Sequence, residues 1–338
     1  APEEALKRLT QDADFMRALK TDKTRIQLGL YAQDPYNGHV LAWVGSRGYV
    51  DDAFDHVAAA RRQPGSTFKP FVYGAALQAG LKPSDTFVDE AVTIQLSGGQ
   101  VWRPTDAGGP SGQAMTLADG LAYSKNTITA QVMEKAGPSR VAKLARALGV
   151  RDSELDVVPA LSLGTSPVTL KEMVQAYATL ANAGQFQPAM AVTRIENREG
   201  EVLADFAPAK AEQAWDPRLN AELVDMMRGV IDKGTGRALR SQYGIRAKLA
   251  GKTGTTQGNA DGWFIVMQPQ MVVGAWAGFN DQRITLRSDR FGQGAHSALP
   301  VVGEVLQRAQ AANLLDTKAD FPTGQGGGGI GDWFAELF

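Results

Sequence analysis

In Arg62-Gln63-Pro64-Gly65-Ser66-Thr67-Phe68-Lys69-Pro70 a serine and a lysine stand three residues apart, at the start of an apolar stretch over 68–77 that reads as a helix. Positions i and i+3 share a helix face, so Lys69 can sit beside Ser66 and take its proton. Ser66 falls where that helix begins, after Pro64-Gly65. Backbone N–H groups and the positive end of the helix dipole favour an alkoxide or oxyanion there. Pro70 lies one turn in, where a missing donor costs least, and is expected to leave the Ser66 carbonyl without its usual partner. A serine hydroxyl needs an adjacent base to act as a nucleophile at neutral pH. The usual base, histidine, occurs only at His39, His56 and His296, none in a triad pattern, and each reads as structural. Lys69 is the better base, provided that burial or a neighbouring cation lowers its pKa from the ordinary ~10.4.

Taken alone, such a serine–lysine pair is as well explained by a helix cap and an exposed amine. Two further patterns accompany it. Ser124-Lys125-Asn126 falls in a break between helical runs, and Lys252-Thr253-Gly254-Thr255 falls in a strand-like context. Each pattern occurs once, in the order S-x-x-K, S-x-N, K-T-G, which is the signature of penicillin-binding proteins and serine β-lactamases. At this point the chain resembles the transpeptidase domain of class A penicillin-binding proteins. Arg61 to Pro70 looks like the class A form of the first motif. Thr253-Gly254-Thr255-Thr256 with Asp261-Gly262-Trp263-Phe264 resembles the third-motif region. Gly164-Thr165-Ser166-Pro167-Val168-Thr169 resembles a turn that leads into a helix of the family. Trp102-Arg103-Pro104-Thr105-Asp106 resembles a W-x-P-x-N segment, with Asp106 in place of the usual Asn. The resemblance spans roughly residues 24–310.

What the resemblance implies is an acyl transfer. Ser66 is the expected nucleophile and Lys69 its base. Ser124 would relay a proton to the leaving amine, and Asn126 would bind the substrate's amide and Lys69. Lys252, by charge, and Thr253 and Thr255, by hydroxyl donors, would hold a substrate carboxylate. Gly254 would let the strand approach the ligand. The backbone N–H groups of Ser66 and Thr255 would form the oxyanion site. The implied substrates are D-Ala-D-Ala peptidoglycan stem peptides and an acceptor amine, with β-lactams acylating the same serine. No metal or cofactor is needed. Three other readings share the motifs: a D,D-carboxypeptidase, a β-lactamase, and a non-enzymatic β-lactam sensor. A β-lactamase needs a deacylating base, in one class a loop glutamate shortly after S-x-N. Glu154 and Glu172 lack the expected surrounding sequence and read as surface charges.

The 338 residues carry a net charge of −1 and no cysteine. The balance gives no footprint for nucleic acid, and the absence of thiols removes disulfides and Cys-ligated metal sites and fits an extracytoplasmic compartment. No apolar run approaches the ~20 residues that span a bilayer. Class A members carry an N-terminal membrane anchor and a glycosyltransferase domain, so this chain is expected to be part of a longer protein, membrane-anchored and in contact with other cell-wall synthesis proteins.

The elements that must position these residues follow from pattern. Strands are expected over 25–33 and 39–44, around the turn Asp34-Pro35-Tyr36-Asn37-Gly38. Residues 81–113 read as exposed with little regular structure beyond a strand at 92–96. Helices are expected over 116–123, 127–136, 139–148, 170–183, 217–232 and 299–312. Further strands are expected over 190–195, 201–206, 247–250, 261–267 and 271–279. The fold class is α/β of α+β type: an antiparallel sheet flanked by helices, closed by N- and C-terminal segments, with an all-α subdomain inserted after the first motif. The domain reading is a charged linker segment over 1–23 with a helical apolar spacing, a transpeptidase domain over 24–322, and a Gly-rich, disordered C-terminal tail over 323–338.

Overall fold

The computed structural model describes residues 25–323, apart from 51, 96–98, 100, 107 and 287–291. The linker segment 1–23 and the tail beyond Thr323 lie outside the described residues. The chain opens with β1 (Gln27–Gln33) and β2 (Val40–Val44), paired antiparallel. Asp34 makes the turn between them: its carboxylate accepts the Tyr36 N–H at 2.8 Å and its carbonyl the Gly38 N–H at 3.0 Å. A 3₁₀ turn over Gly65–Phe68 leads into α1 (Lys69–Gln78). There follow α2 (Leu117–Ala122), α3 (Asn126–Ala136), α4 (Pro138–Leu148) and α5 (Leu170–Ala181). After α6 (Pro217–Asp232) come the strands β3 (Ala250–Thr255), β4 (Asp261–Gln268) and β5 (Met271–Gly278), then α7 (Ala298–Ala311).

The five strands form one antiparallel sheet in the order β3-β4-β5-β1-β2. The N-terminal hairpin thus joins a C-terminal meander, and the K-T-G strand β3 is left on an edge. Helix α5 packs against β1, β4 and β5, and α7 against β4 and β5. Helix α1 is apolar on every side, and such a helix must be buried on every side; each residue from 69 to 77 is buried. It runs through the helical block against α3, α4 and α6. At its head, Phe68 and Phe71 pack edge to face, and Phe71 meets Tyr177 of α5 in the same way. Thr169 caps α5 in a reciprocal box with Glu172.

Four expectations are corrected. The Ser66 carbonyl is not orphaned: the turn tightens to 3₁₀, the Lys69 N–H bonds to it, and Pro70 sits in the first turn of α1. The K-T-G motif does not follow its strand but lies within β3. Glu172 is buried, not a surface charge, because it accepts the N–H groups of Asp152 (2.7 Å), Ser153 (2.8 Å) and Thr169 (3.1 Å) and the Ser153 hydroxyl (2.6 Å). The region 81–113 holds only short strand pairs, yet it is not wholly exposed: Asp89 is buried, and Pro104 to Asp106 reach the cleft described next.

Candidate active site

The three motifs meet in a cleft of about 770 Å³ between the β3 edge, the head of α1 and the α2–α3 turn. Ser66, Ser124, Asn126, Thr253 and Thr255 all line it. The closeness of the first and third motifs depends on residues that lack side chains. Gly65 has φ +55°, and a Cβ there would lie 2.5 Å from the Thr255 carbonyl. A Cβ at Gly254 would lie 2.6 Å from the Pro64 carbonyl. Gly254 therefore brings the strand against the turn that carries Ser66. Tyr177 of α5 fixes the turn from behind, donating to the Thr67 carbonyl at 2.7 Å, while Thr67 bonds the Pro64 carbonyl at 2.7 Å.

Arg62, four residues before Ser66, ties this turn to the sheet. Its backbone pairs with Val168 in both directions, at 2.9 and 3.0 Å. Its side chain, 8 % exposed, bonds Asp261 at the start of β4 at 2.7 Å. The same carboxylate accepts the Trp276 indole N–H at 2.9 Å, and the guanidinium lies over that ring at 5.2 Å. His56, one of the three histidines, stacks on Trp276 from within this cluster and pairs with Asp52, which fits the structural reading given to it.

The two motif lysines lie behind the cleft surface, both fully buried. Lys69 donates to the Ser124 carbonyl at 2.6 Å and to Asn126 Oδ1 at 2.7 Å, and lies 3.3 Å from Ser124 Oγ. Lys252 donates to Ser124 Oγ at 2.8 Å and to the Thr253 carbonyl at 3.1 Å. One hydroxyl thus stands between two amines. Burial pushes Lys69 down to about 7, partly opposed by the Asp106 carboxylate. Burial also pushes Lys252 well below its ordinary value, and the charge of Lys69 adds to the effect. Two ammonium groups this close and this dry cannot both stay charged without cost. Ser124 itself has φ +59°, an unusual conformation for a residue with a side chain. The Ser66 hydroxyl has no hydrogen-bond partner among the described residues and is half-buried in the cleft wall.

On the far side, Thr253 Oγ1 lies 2.7 Å from Thr235 Oγ1. Thr255 Oγ1 accepts the Gly294 N–H at 3.0 Å, which leaves its own proton free to donate. Thr235 was not singled out by sequence. The signal was Gly234-Thr235-Gly236 just after α6, where the Thr235 N–H bonds the Ala122 carbonyl at 3.2 Å and brings the hydroxyl to the α2–α3 turn. Trp102, Tyr123 and Asn259 also line the cleft. Tyr123 directly precedes the second motif, Trp102 belongs to the W-x-P-x-N-like segment, and Asn259 lies just beyond β3.

Residues 29–277 match the family model described as "Penicillin binding protein transpeptidase domain". Penicillin-binding protein 1A of Neisseria meningitidis is 33% identical over 282 residues, 82% of this chain and 35% of that protein. Penicillin-binding protein 2D of Bacillus subtilis is 34% identical over 272 residues, 78% of this chain and 38% of that one. The chain therefore spans little more than a third of the curated relatives it matches. The crystal structure of penicillin-binding protein 1A from Haemophilus influenzae superposes with a TM-score of 0.79 at 24% identity, over 88% of this chain and 49% of that one. The PonA1 protein of Mycobacterium tuberculosis in complex with penicillin V gives 0.72 at 23%, over 96% and 87%. The expected resemblance and fold class are borne out, and the chain belongs to the penicillin-binding protein transpeptidase family.

Proposed function

We propose that this domain is a D,D-transpeptidase that cross-links peptidoglycan stem peptides through an acyl-enzyme on Ser66. The observation that carries the reading is the Ser124 hydroxyl held between the Lys69 and Lys252 amines, 3.3 and 2.8 Å away, in the cleft that Ser66 lines. Membership of a transpeptidase family supports it.

In this mechanism a neutral Lys69 accepts the Ser66 proton as Oγ attacks the carbonyl of the D-Ala-D-Ala amide. General-base help of this kind is worth about 10²–10⁴ in rate. The Ser66 and Thr255 N–H groups receive the oxyanion, and each such donor is worth about 10²–10³. The proton passes from Lys69 through Ser124 to the leaving amine, and D-Ala departs. An acceptor amine then attacks the ester, gives up its proton along the same path and frees Ser66. Thr253 and Thr255 hold the terminal carboxylate, with Lys252 acting by charge from behind them. Asn126 orients the substrate amide and Lys69. A β-lactam takes the same route as far as the ester.

The alternatives differ in the fate of that ester. A D,D-carboxypeptidase passes it to water. A β-lactamase needs a deacylating base, and Glu172, the candidate for the class that uses a glutamate, is committed to its own buried bonds and does not line the cleft. A sensor would hold the ester without turnover. On the reading favoured here, residues 24–322 are the catalytic domain of a longer, membrane-anchored extracytoplasmic protein. Stem peptides are donor and acceptor, β-lactams are inhibitors, and other cell-wall synthesis proteins are candidate partners. The test is intact-protein mass after incubation with benzylpenicillin, beside Ser66→Ala. One stable adduct on the native chain and none on the variant is expected. An adduct lost within seconds points to a β-lactamase, and labelling of Ser66→Ala removes Ser66 as nucleophile.

A further inference from the structure

Helix α3 begins at Asn126 without a side-chain cap of its own: Lys125 is extended there and supplies none. The cap comes from a distant segment. Asp106 Oδ1 accepts the Asn126 N–H at 2.8 Å, and the neighbouring Thr105 carbonyl accepts Asn126 Nδ2 at 2.8 Å. The amide so held offers its oxygen to Lys69 at 2.7 Å. Two adjacent residues of the 81–113 region therefore hold Asn126, Asp106 by its backbone and Thr105 by the amide that positions the base.

The second carboxylate oxygen of Asp106 poses a problem. It lies 3.2 Å from Thr127 Oγ1, and that hydroxyl lies 2.6 Å from Asp89 Oδ1. A hydroxyl carries one proton. Asp89 takes it at the shorter distance, and Asp89 is an ionised carboxylate, buried and paired with Lys125 at 2.8 Å. Asp106 Oδ2 thus faces lone pairs, next to a like charge. An amide at this position would satisfy everything: its oxygen would take the Asn126 N–H, and its nitrogen would donate to Thr127. Hydrogen-bond accounting prefers Asn, yet the chain carries Asp. A local rule broken beside a base points to a use for the charge.

We infer that Asp106 is a positioning residue for the acylation chemistry: its carboxylate caps α3 at Asn126, whose side chain holds Lys69, and so sets a negative charge one hydrogen-bonded residue away from that amine. The inference rests on the proposed roles of Ser66 and Lys69. The groups around Lys69 are Lys252 on β3, Asp106 itself, the Asp89–Lys125 pair beside α3, and the buried Tyr73 hydroxyl on α1 bonded to Thr129. Of these, the Asp106 carboxylate is the charge that holds Lys69 up against burial. Without it the amine loses its proton at lower pH, and the acidic limb of acylation moves down.

The experiment is the rate of benzylpenicillin acylation from about pH 5 to about pH 9, around the neutral range where a lowered lysine titrates. It compares wild type, Asp106→Asn and Asp106→Ala, with a thermal melt of each. Asp106→Asn keeps the cap and is expected to melt at or above the wild-type temperature. Its acidic limb shifts down, so the ratio of rates below and above neutrality rises several-fold. Asp106→Ala loses the cap, melts lower and is slower at every pH, and Asn restores that loss. A labelled wild type with an unmoved Asp106→Asn profile overturns this inference alone. So does an Asn variant as impaired as the Ala variant. A wild type that takes no label overturns the Ser66 reading and this inference with it.

Discussion

Ser124 shows how much of this site depends on one residue held in an awkward conformation. Its φ of +59° lies in the left-handed region, where a side chain costs about 1–2 kcal/mol. That backbone turn aims the carbonyl at Lys69 and the hydroxyl between both lysines. Strain of this kind persists only where the surroundings enforce it. Here they do so through the Ser124 N–H to the Leu121 carbonyl and the Lys125 N–H to the Gly120 carbonyl. Two substitutions separate the strain from the chemistry. Ser124→Ala removes the hydroxyl and keeps the strain, whereas Ser124→Gly removes both. Glycine carries a penalty of its own, about 0.5–1 kcal/mol of extra chain entropy. The Gly variant should still be more stable than the Ala variant in urea unfolding, by up to about 1 kcal/mol. Acylation by benzylpenicillin should fall in both by about 10²-fold or more, the general acid–base contribution. An Ala variant that keeps the wild-type rate would remove the proton relay from the mechanism. A Gly variant less stable than the Ala variant would remove the strain.

The element that carries Ser66 is held by a buried ion pair that the proposed chemistry never touches. Arg62 and Asp261 are nearly inaccessible, and the cluster also engages Trp276 and Thr256. Truncating one partner of such a pair leaves an uncompensated buried charge, at a cost of about 3–5 kcal/mol. Arg62→Ala should show a loss of that order in urea unfolding and a slower acylation, because the turn over Gly65–Phe68 loses its tie to β4. Arg61→Ala, next to it but exposed and bonded to Ser153, should cost less than about 1 kcal/mol. Equal losses in the two variants would rule out the clamp. The contrast also marks what sequence can reveal. Ser66 and Lys69, or Lys252 to Thr255, sit at short fixed spacings, so local geometry alone makes them legible. Most elements were legible too, from a period or a cap, as with Thr169 before α5, whereas the strand expected to end at Ala250 runs over Ala250–Thr255 instead. Thr235, the bonds of Asp106 and the pairing of Arg62 with Asp261 were not, because chain separations of up to 199 residues are closed only by packing. Glu172 was misread for the same reason: three of its five donors come from Asp152 and Ser153, 20 and 19 residues away.

At the scale of the whole molecule, the burial that lowers the two lysines works against stability near neutral pH. Unfolded, Lys69 keeps its proton up to its ordinary 10.5, while folded it loses that proton near about 7. Lys252 is lowered as well, by burial and by Lys69. Between those limits the unfolded chain binds more protons, so unfolding free energy must rise with pH. Buried tyrosines set the opposite limb. Burial pushes Tyr31 up to about 12 and Tyr177 well above its ordinary range, whereas unfolded tyrosines titrate near ~10. Their contribution is complete below that value and is lost as pH rises through the folded values. The lowered carboxylates, among them Asp119 and Glu172, are ionised in both states throughout this window and add no slope. The domain should therefore be most stable at about pH 9–10, above the neutral range usual for globular proteins. Thermal melts from about pH 7 to about pH 11 test this on wild type and Lys69→Met, which fills the same buried space without a proton to lose. The rising limb should shrink in the variant to what Lys252 alone supplies, while the tyrosine limb stays in place. A wild-type profile that falls steadily from pH 7, or a rising limb unchanged in Lys69→Met, would show that Lys69 is not held neutral by the fold. The base would then have to be created by substrate binding.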